Sequence, residues 1–193
     1  MTKRIKINPE YDRLADFVKS LADNGIPAGA ETIYAGRNRI YRVTTDCIEV
    51  NIKSFHSPKF PNNYIYSNLR KSKARRSFEH AMEIRRRGIG TPDPVAWIET
   101  SKNGSLCESY YISLQSKATR NMRFWETWPQ DEADRVVKEL AEYMVHVHDS
   151  GILHHDFSPG NILWHETENG IEFEMVDLNR MTIYDRPLNE KER

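Results

Sequence analysis

The stretch HHDFSPGNILW, residues 154–164, sets a lone carboxylate, Asp156, five residues before Asn161 and directly after two histidines. A carboxylate can take the proton of an attacking hydroxyl, and an asparagine oxygen is a hard donor suited to a magnesium ion. The D-x-x-x-x-N spacing is the one that positions an acceptor hydroxyl and a metal ion in phosphoryl transfer. Alone it is weak, because many chains contain it by chance, and a surface loop is the plainer reading. His146, His148, His154 and His155 raise a third reading, a transition-metal site. However, i,i+2 spacing does not bring two side chains to one helix face, and no cysteine or carboxylate cluster completes a ligand set.

Other residues gain meaning from the first pair. Asp177, in EMVDLNR, is a second oxygen donor for magnesium; the alternative is a turn or cap residue at a hairpin end. Lys53, in VNIKSF, stands in an apolar strand pattern, where an ammonium is costly unless it meets an anion. It is expected to hold the non-transferred phosphates of a nucleotide, with Glu79 as its partner and Glu83 as the runner-up; snorkelling from a strand edge is the bland alternative. Gly36, in AGRNRIYRV, is the single glycine where a phosphate-covering loop normally has three. It permits a turn there, with Arg37 or Arg39 near the phosphates or simply in solvent.

The elements that must position these residues follow from hydrophobic period and turn residues. Asn8-Pro9 opens a helix over residues 9–23 with Leu14, Phe17, Val18 and Leu21 on one stripe. TIYA, RIYRV and CIEVNIKSF read as an antiparallel meander. After the connection HSPKFPNN, the stretch RKSKARRSFEHAMEIRRRG reads as a helix with an Ala74, Phe78, Ala81, Met82 stripe and Gly88 as its stop. PVAWIE and LCESYYISL add two strands. DEADRVVKELAEYMVHVHDSG is a helix with Ala133, Val136, Val137, Leu140, Met144 and Val147 inward, and NILW with IEFEMVD forms a hairpin. This order predicts an α+β, two-lobed protein-kinase-like fold: a five-stranded antiparallel N-lobe with one main helix, then a partial helical C-lobe. The expected divisions are a helical extension at 1–30, the N-lobe at 31–114, and hinge and partial C-lobe at 115–193. In this layout His154 supports the catalytic loop and His155 takes a variable position, while Asp177-Leu178-Asn179 stands where Asp-Phe-Gly is usual. The metal ligand is kept; the hydrophobic and glycine partners that govern flipping of that segment are not.

The bulk numbers exclude several classes. Lys+Arg and Asp+Glu balance at 28 each, so no global charge points to nucleic acid or a membrane. The exception is Arg70 to Arg87, with eight basic residues against Glu79 and Glu83. Two cysteines, Cys47 and Cys107, with no CxxC spacing suggest neither a disulfide framework nor structural zinc. No signal-peptide pattern or membrane-spanning run is present, so a reduced cytoplasmic protein is expected.

Several phrases together resemble the bacterial lipopolysaccharide kinase family, which includes the Kdo and core-heptose kinases. They are VNIKSF, RKSKARRSFEHAMEIRRRGIGTPDPVAWIE, SYYISL, HHDFSPGNILW and VDLNRM, from about Gly36 to Met181. GIGTPDPVA is the most family-like part, whereas the catalytic-loop pattern is shared with aminoglycoside- and choline-type phosphotransferases. The resemblance implies ATP and Mg²⁺ as cofactors and a sugar or glycolipid acceptor in the lipopolysaccharide inner core. It implies a cytoplasmic location, peripheral to the inner membrane of a Gram-negative bacterium, with Arg70–Arg87 drawn to acidic lipid; a solvated helix face is the plainer reading of that run. By motif, Asp156 is the catalytic aspartate, Asn161 and Asp177 the magnesium ligands and Lys53 the ATP lysine. The chain ends soon after Asp177, which suggests a fragment or a reduced larger lobe. The alternatives are an inactive kinase-fold nucleotide-binding module and another small-molecule phosphotransferase. A Ser/Thr protein kinase ranks low, because no Ala-Pro-Glu segment follows Asp177.

Overall fold

The computed structural model describes residues 1–57, 70–118 and 120–193, so most of the HSPKFPNN connection lies outside the described residues. Contacts divide the chain into two units: Met1–Glu79 with Asp93–Gln115, and His80–Pro92 with Ser116–Arg193.

The first unit is built on an antiparallel sheet that has six strands among the described residues, ordered β1-β5-β6-β4-β3-β2. These are β1 Thr2–Ile7, β2 Glu31–Ala35, β3 Arg39–Thr45, β4 Ile48–Phe55, β5 Pro94–Lys102 and β6 Ser105–Leu114. The meander and the later strand pair are where the sequence pattern puts them. β1 is the addition, and it replaces the start of the helical extension expected at 1–30. TKRIKI has little apolar alternation to read, and it becomes a strand by pairing with β5 from Thr2↔Ser101 to Ile7↔Ala96. There Arg4 lies opposite Glu99, a carboxylate 2% exposed, and pairs with it at 2.9 Å. Between β2 and β3 the register shifts at Thr32/Tyr34.

Asn8 ends β1 and caps the next element. Its side-chain oxygen accepts from the Glu10 amide at 3.2 Å, and its amide donates to the Pro94 carbonyl at 2.9 Å. The single helix expected over 9–23 is broken into a 3-10 turn, Pro9–Leu14, and α1, Ala15–Asn24. The two meet at Leu14, and within the 3-10 turn Tyr11 is itself non-helical (φ −117°, ψ 26°), its hydroxyl donating to the Asp93 carboxylate, a tertiary contact that competes with local helix period. Leu14, Val18 and Leu21 pack against Val50, Ile52, Ala96, Ile98 and Ile112 on one face of the sheet. On the other face, Phe55 and Trp97 meet Ala74 and Phe78 of α2, Lys73–Arg86. Each such large side chain contributes about 1.5–3 kcal/mol when buried.

α2 buries Ala74, Phe78, Ala81 and Ile84; Met82, expected on that stripe, is 38% exposed, and Ile84 holds the inward position instead. The helix ends in a Schellman motif at Gly88 (φ +78°). The Gly88 amide donates to the Arg85 carbonyl and the Ile89 amide to the Ile84 carbonyl, both at 2.9 Å, while Ile84 and Ile89 pack inside.

The second unit has α3, Gln130–Asp149, and short strands β7 Arg120–Asn121, β8 Ile152–His154, β9 Ile162–Thr167, β10 Gly170–Met175 and β11 Met181–Ile183. They pair as β10-β9-β7 and β11-β8. The β9–β10 hairpin is where the alternation predicts it; β7, β8 and β11 are too short to show a period. α3 buries Ala133, Val136 and Val147, whereas Val137 is 41% exposed. Val136 joins Met122, Ile162, Trp164 and Phe173 in the core. Gly90 lets the chain after α2 press against β10: a Cβ there would overlap the Phe173 carbonyl oxygen, and the Met175 amide donates to the Gly90 carbonyl at 2.9 Å.

Candidate active site

The loop after β8 and the segment after β10 are tied together peptide by peptide. His154, 7% exposed, donates from Nε2 to the Val176 carbonyl at 3.2 Å and accepts the Asp156 amide on Nδ1 at 3.1 Å. Those two roles require the neutral ring protonated on Nε2. Burial holds its imidazole below the ordinary range, against the opposing pull of the Val176 carbonyl and of Asp177 and Asp156. The Val176 amide donates to the Asn161 carbonyl at 3.0 Å, and the His155 amide to the Arg180 carbonyl at 2.9 Å. Asp156, Asn161 and Asp177 are thereby brought to one locus within the second unit.

Asn161 sits at the end of the 3-10 turn Pro159–Asn161, and its Nδ2 donates to the Asp156 carbonyl at 2.9 Å. A carbonyl can only accept, so the amide nitrogen must face it and Oδ1 is the other end of the group. Asp156 carries an exposed carboxylate with Arg180 Nη1 3.7 Å from Oδ2. The Arg123 guanidinium lies over Gly160, against the place a Cβ would occupy.

Asp177 has a left-handed backbone, φ +61°, and Asn179 donates from Nδ2 to its Oδ1. Leu178 and Asn179 are 2% and 6% exposed. The segment therefore does have a hydrophobic anchor and a local lock, Leu178 and Asn179, in place of Phe and Gly. An Asp oxygen and an Asn oxygen, both hard donors and few in number, fit a magnesium ion that takes its remaining ligands from phosphates and water. Among the described residues no group of three or more His, Cys, Asp or Glu is placed to hold a metal without such help.

The first unit holds the other three candidates. Lys53 is half-buried at the centre of the sheet, opposite Ile40 and Tyr111, with Nζ 5.4 Å from the Phe55 ring centroid. By strand alternation it shares the face of Phe55, on which Ala74 and Phe78 of α2 pack. Glu79 holds Lys71 at 2.7 Å and Arg75 at 2.8 Å on its two oxygens. Burial raises its carboxyl, but those two cations outweigh it and leave it below the usual range. Glu83 is taken by Arg86 and Arg87, each at 2.7 Å, and the Arg86 hydrogen bond leads in lowering its carboxyl to about 2. Gly36 lies under the Tyr34 ring in the β2–β3 turn, its amide donating to the Asn38 carbonyl at 3.1 Å. Arg180, Asn179, His80 and Arg123 are the residues around the site that spacing alone does not single out.

Residues 56–193 match the family model described as "Lipopolysaccharide kinase (Kdo/WaaP) family". The fold is similar to WaaP, solved in complex with acyl carrier protein: TM-score 0.66 and 16% identity, over 97% of this chain and 76% of that one. It is also similar to Rio2 kinase from Chaetomium thermophilum, solved as an ADP/Mg²⁺-phosphoaspartate complex: TM-score 0.61 and 17% identity, over 94% of this chain and 56% of that one. At such identities the two structures speak for the fold, the kinase-like α+β fold expected from the order of elements.

Proposed function

The chain belongs to the lipopolysaccharide kinase (Kdo/WaaP) family, and from that premise we propose that it transfers the γ-phosphoryl group of ATP to a sugar hydroxyl of the lipopolysaccharide inner core. The observation that carries this reading is the convergence of Asp156, Asn161 and Asp177 through the bonds from His154 and from the Asn161 and Val176 backbones. The sugar oxygen forms a bond to the γ-phosphorus while the bond to the β–γ bridging oxygen breaks, giving a phosphomonoester and ADP. The hydroxyl proton passes to the Asp156 carboxylate, whose exposure leaves room for an acceptor. Asn161 Oδ1 and the Asp177 carboxylate would hold Mg²⁺, which when bound offsets charge on the phosphates. Lys53 binds the non-transferred phosphates and Gly36 admits the nucleotide at the β2–β3 turn; for Glu79 to steady Lys53, as the spacing predicts, it must exchange Lys71 or Arg75, which hold its two oxygens in this structure. The protein works at the cytoplasmic face of the membrane that carries the acceptor; no helix among the described residues is long and apolar enough to cross one.

A full set of Asp156, Asn161 and Asp177 favours transfer over a silent nucleotide-binding module, which has no chemical need for all three. The test is Mg²⁺-dependent transfer from labelled ATP to a panel of core oligosaccharides and aminoglycosides. Asp156→Asn is expected to lower kcat by about 10²–10⁴ with nucleotide affinity retained. Transfer at the full rate in that variant would sink the role of Asp156, and labelling of aminoglycosides alone would move the acceptor class.

A further inference from the structure

Asp177 is held in a backbone conformation that an L residue rarely adopts, and something must keep the next peptide in place. Leu178 follows the left-handed Asp177, precedes the ladder of β11, which starts at Met181, and is 2% exposed. A buried carbonyl without a donor costs about 1–3 kcal/mol. Its donor is His80: Nδ1 lies 2.6 Å from the Leu178 oxygen, and because a carbonyl only accepts, Nδ1 carries the proton. His80 sits on α2 directly after Glu79.

We infer that His80 is a positioning residue for the metal-binding segment, holding the Leu178 peptide so that Asp177 presents its carboxylate beside Asn161. The three neighbouring peptide groups are fixed by other elements: Met175 by Gly90, Val176 by Asn161 and His154, and Arg180 by His155. His80 supplies the tie between Asp177 and that last bond, at Leu178, between the left-handed Asp177 and Asn179, which stands where glycine is usual. The hydrogen bond from Asn179 orients the Asp177 carboxylate on its own backbone; it does not anchor the segment to another element. His80 does, through the same helix that carries Glu79.

This inference rests on the magnesium reading of Asp177, and its test separates the two. Mn²⁺ binding in the presence of ADP is titrated by electron paramagnetic resonance in the wild type, His80→Ala and His80→Asn. The asparagine amide can reach the place of Nδ1 and restore a donor. Mn²⁺ affinity should fall at least fivefold in His80→Ala and return to within twofold of wild type in His80→Asn. Circular dichroism should be unchanged, and in the transfer assay kcat should fall in His80→Ala with the KM of the acceptor retained. Equal affinity in all three proteins, or equal loss in both variants, overturns the positioning role while leaving the metal site standing. A wild type that binds no Mn²⁺ with ADP overturns the metal reading and this inference with it.

Discussion

Asp177 pays a backbone penalty that most residues could not, since a left-handed conformation costs roughly 1–2 kcal/mol and Asp and Asn tolerate it best. Asp177→Asn keeps the shape, the tolerance for that φ and an oxygen for the Asn179 amide, but removes the charge. It should melt within a few degrees of the wild type by calorimetry and lose Mg²⁺-dependent transfer by at least tenfold; normal transfer would remove Asp177 from the metal site. At this scale the sequence offered residue types at a fixed spacing, Asp156, Asn161 and Asp177, and the structure ties the segments that carry them together; their chemical roles are part of the proposal. His80 was not legible, because its partner is the main-chain oxygen of Leu178, ninety-eight positions away, and no pattern of residue types encodes that. Asn179 carried a faint signal, since Asn often bonds to a group two residues off.

α2 shows how an element can disguise its own charge. The run Arg70–Arg87 reads as a basic surface, yet Arg75–Glu79 and Glu83–Arg87 are spaced i,i+4 and form ion pairs, joined by Lys71 and Arg86. Arg87, 15% exposed, also donates to the Ser150 and Tyr184 carbonyls at 2.7 and 2.6 Å, binding the end of α2 to the end of α3 and to the chain after β11. The pair spacing was present in the sequence; the carbonyl partners were not. Because Glu83 titrates lower when folded, its contribution is complete above the unfolded carboxylate range and is lost as pH falls from about 4.5 towards 2. Melting temperature should therefore drop through that window, and Glu83→Gln should begin lower and fall less steeply. Parallel curves for the two proteins would remove Glu83 from the acid response. Helices and long strands were legible from period, whereas β1 was not: its state depends on β5, and only Ile5 and Ile7 in it are apolar.

For the molecule as a whole, nucleotide and metal are expected to act as one ligand of the folded state. Mg²⁺ and ATP at about 100 times the dissociation constant should add about 2.7 kcal/mol to stability, read as a rise in melting temperature. EDTA should remove most of the rise, and a shift that ignores EDTA would argue against metal-assisted phosphate binding. The balanced charge of the chain, 28 basic against 28 acidic residues, says little about this, because binding depends on a few placed groups. The six-stranded sheet has a different consequence. Among the described residues its outermost members are β1 and β2, and the outer hydrogen-bonding rim of an edge strand is a template for a strand from another copy. β1 sets Lys3, Arg4 and Lys6 along its rim, and β2 breaks its repeat at Thr32/Tyr34 beside the Glu31–Arg42 ion pair. Basic side chains on one side, two of them anchored by Asp23 and Glu99, and a kinked ladder on the other make recruitment of a further strand less favourable. The kinked edge is also where Ile33 and Tyr34 stand 43% and 53% exposed, the apolar residues that a further strand would otherwise cover.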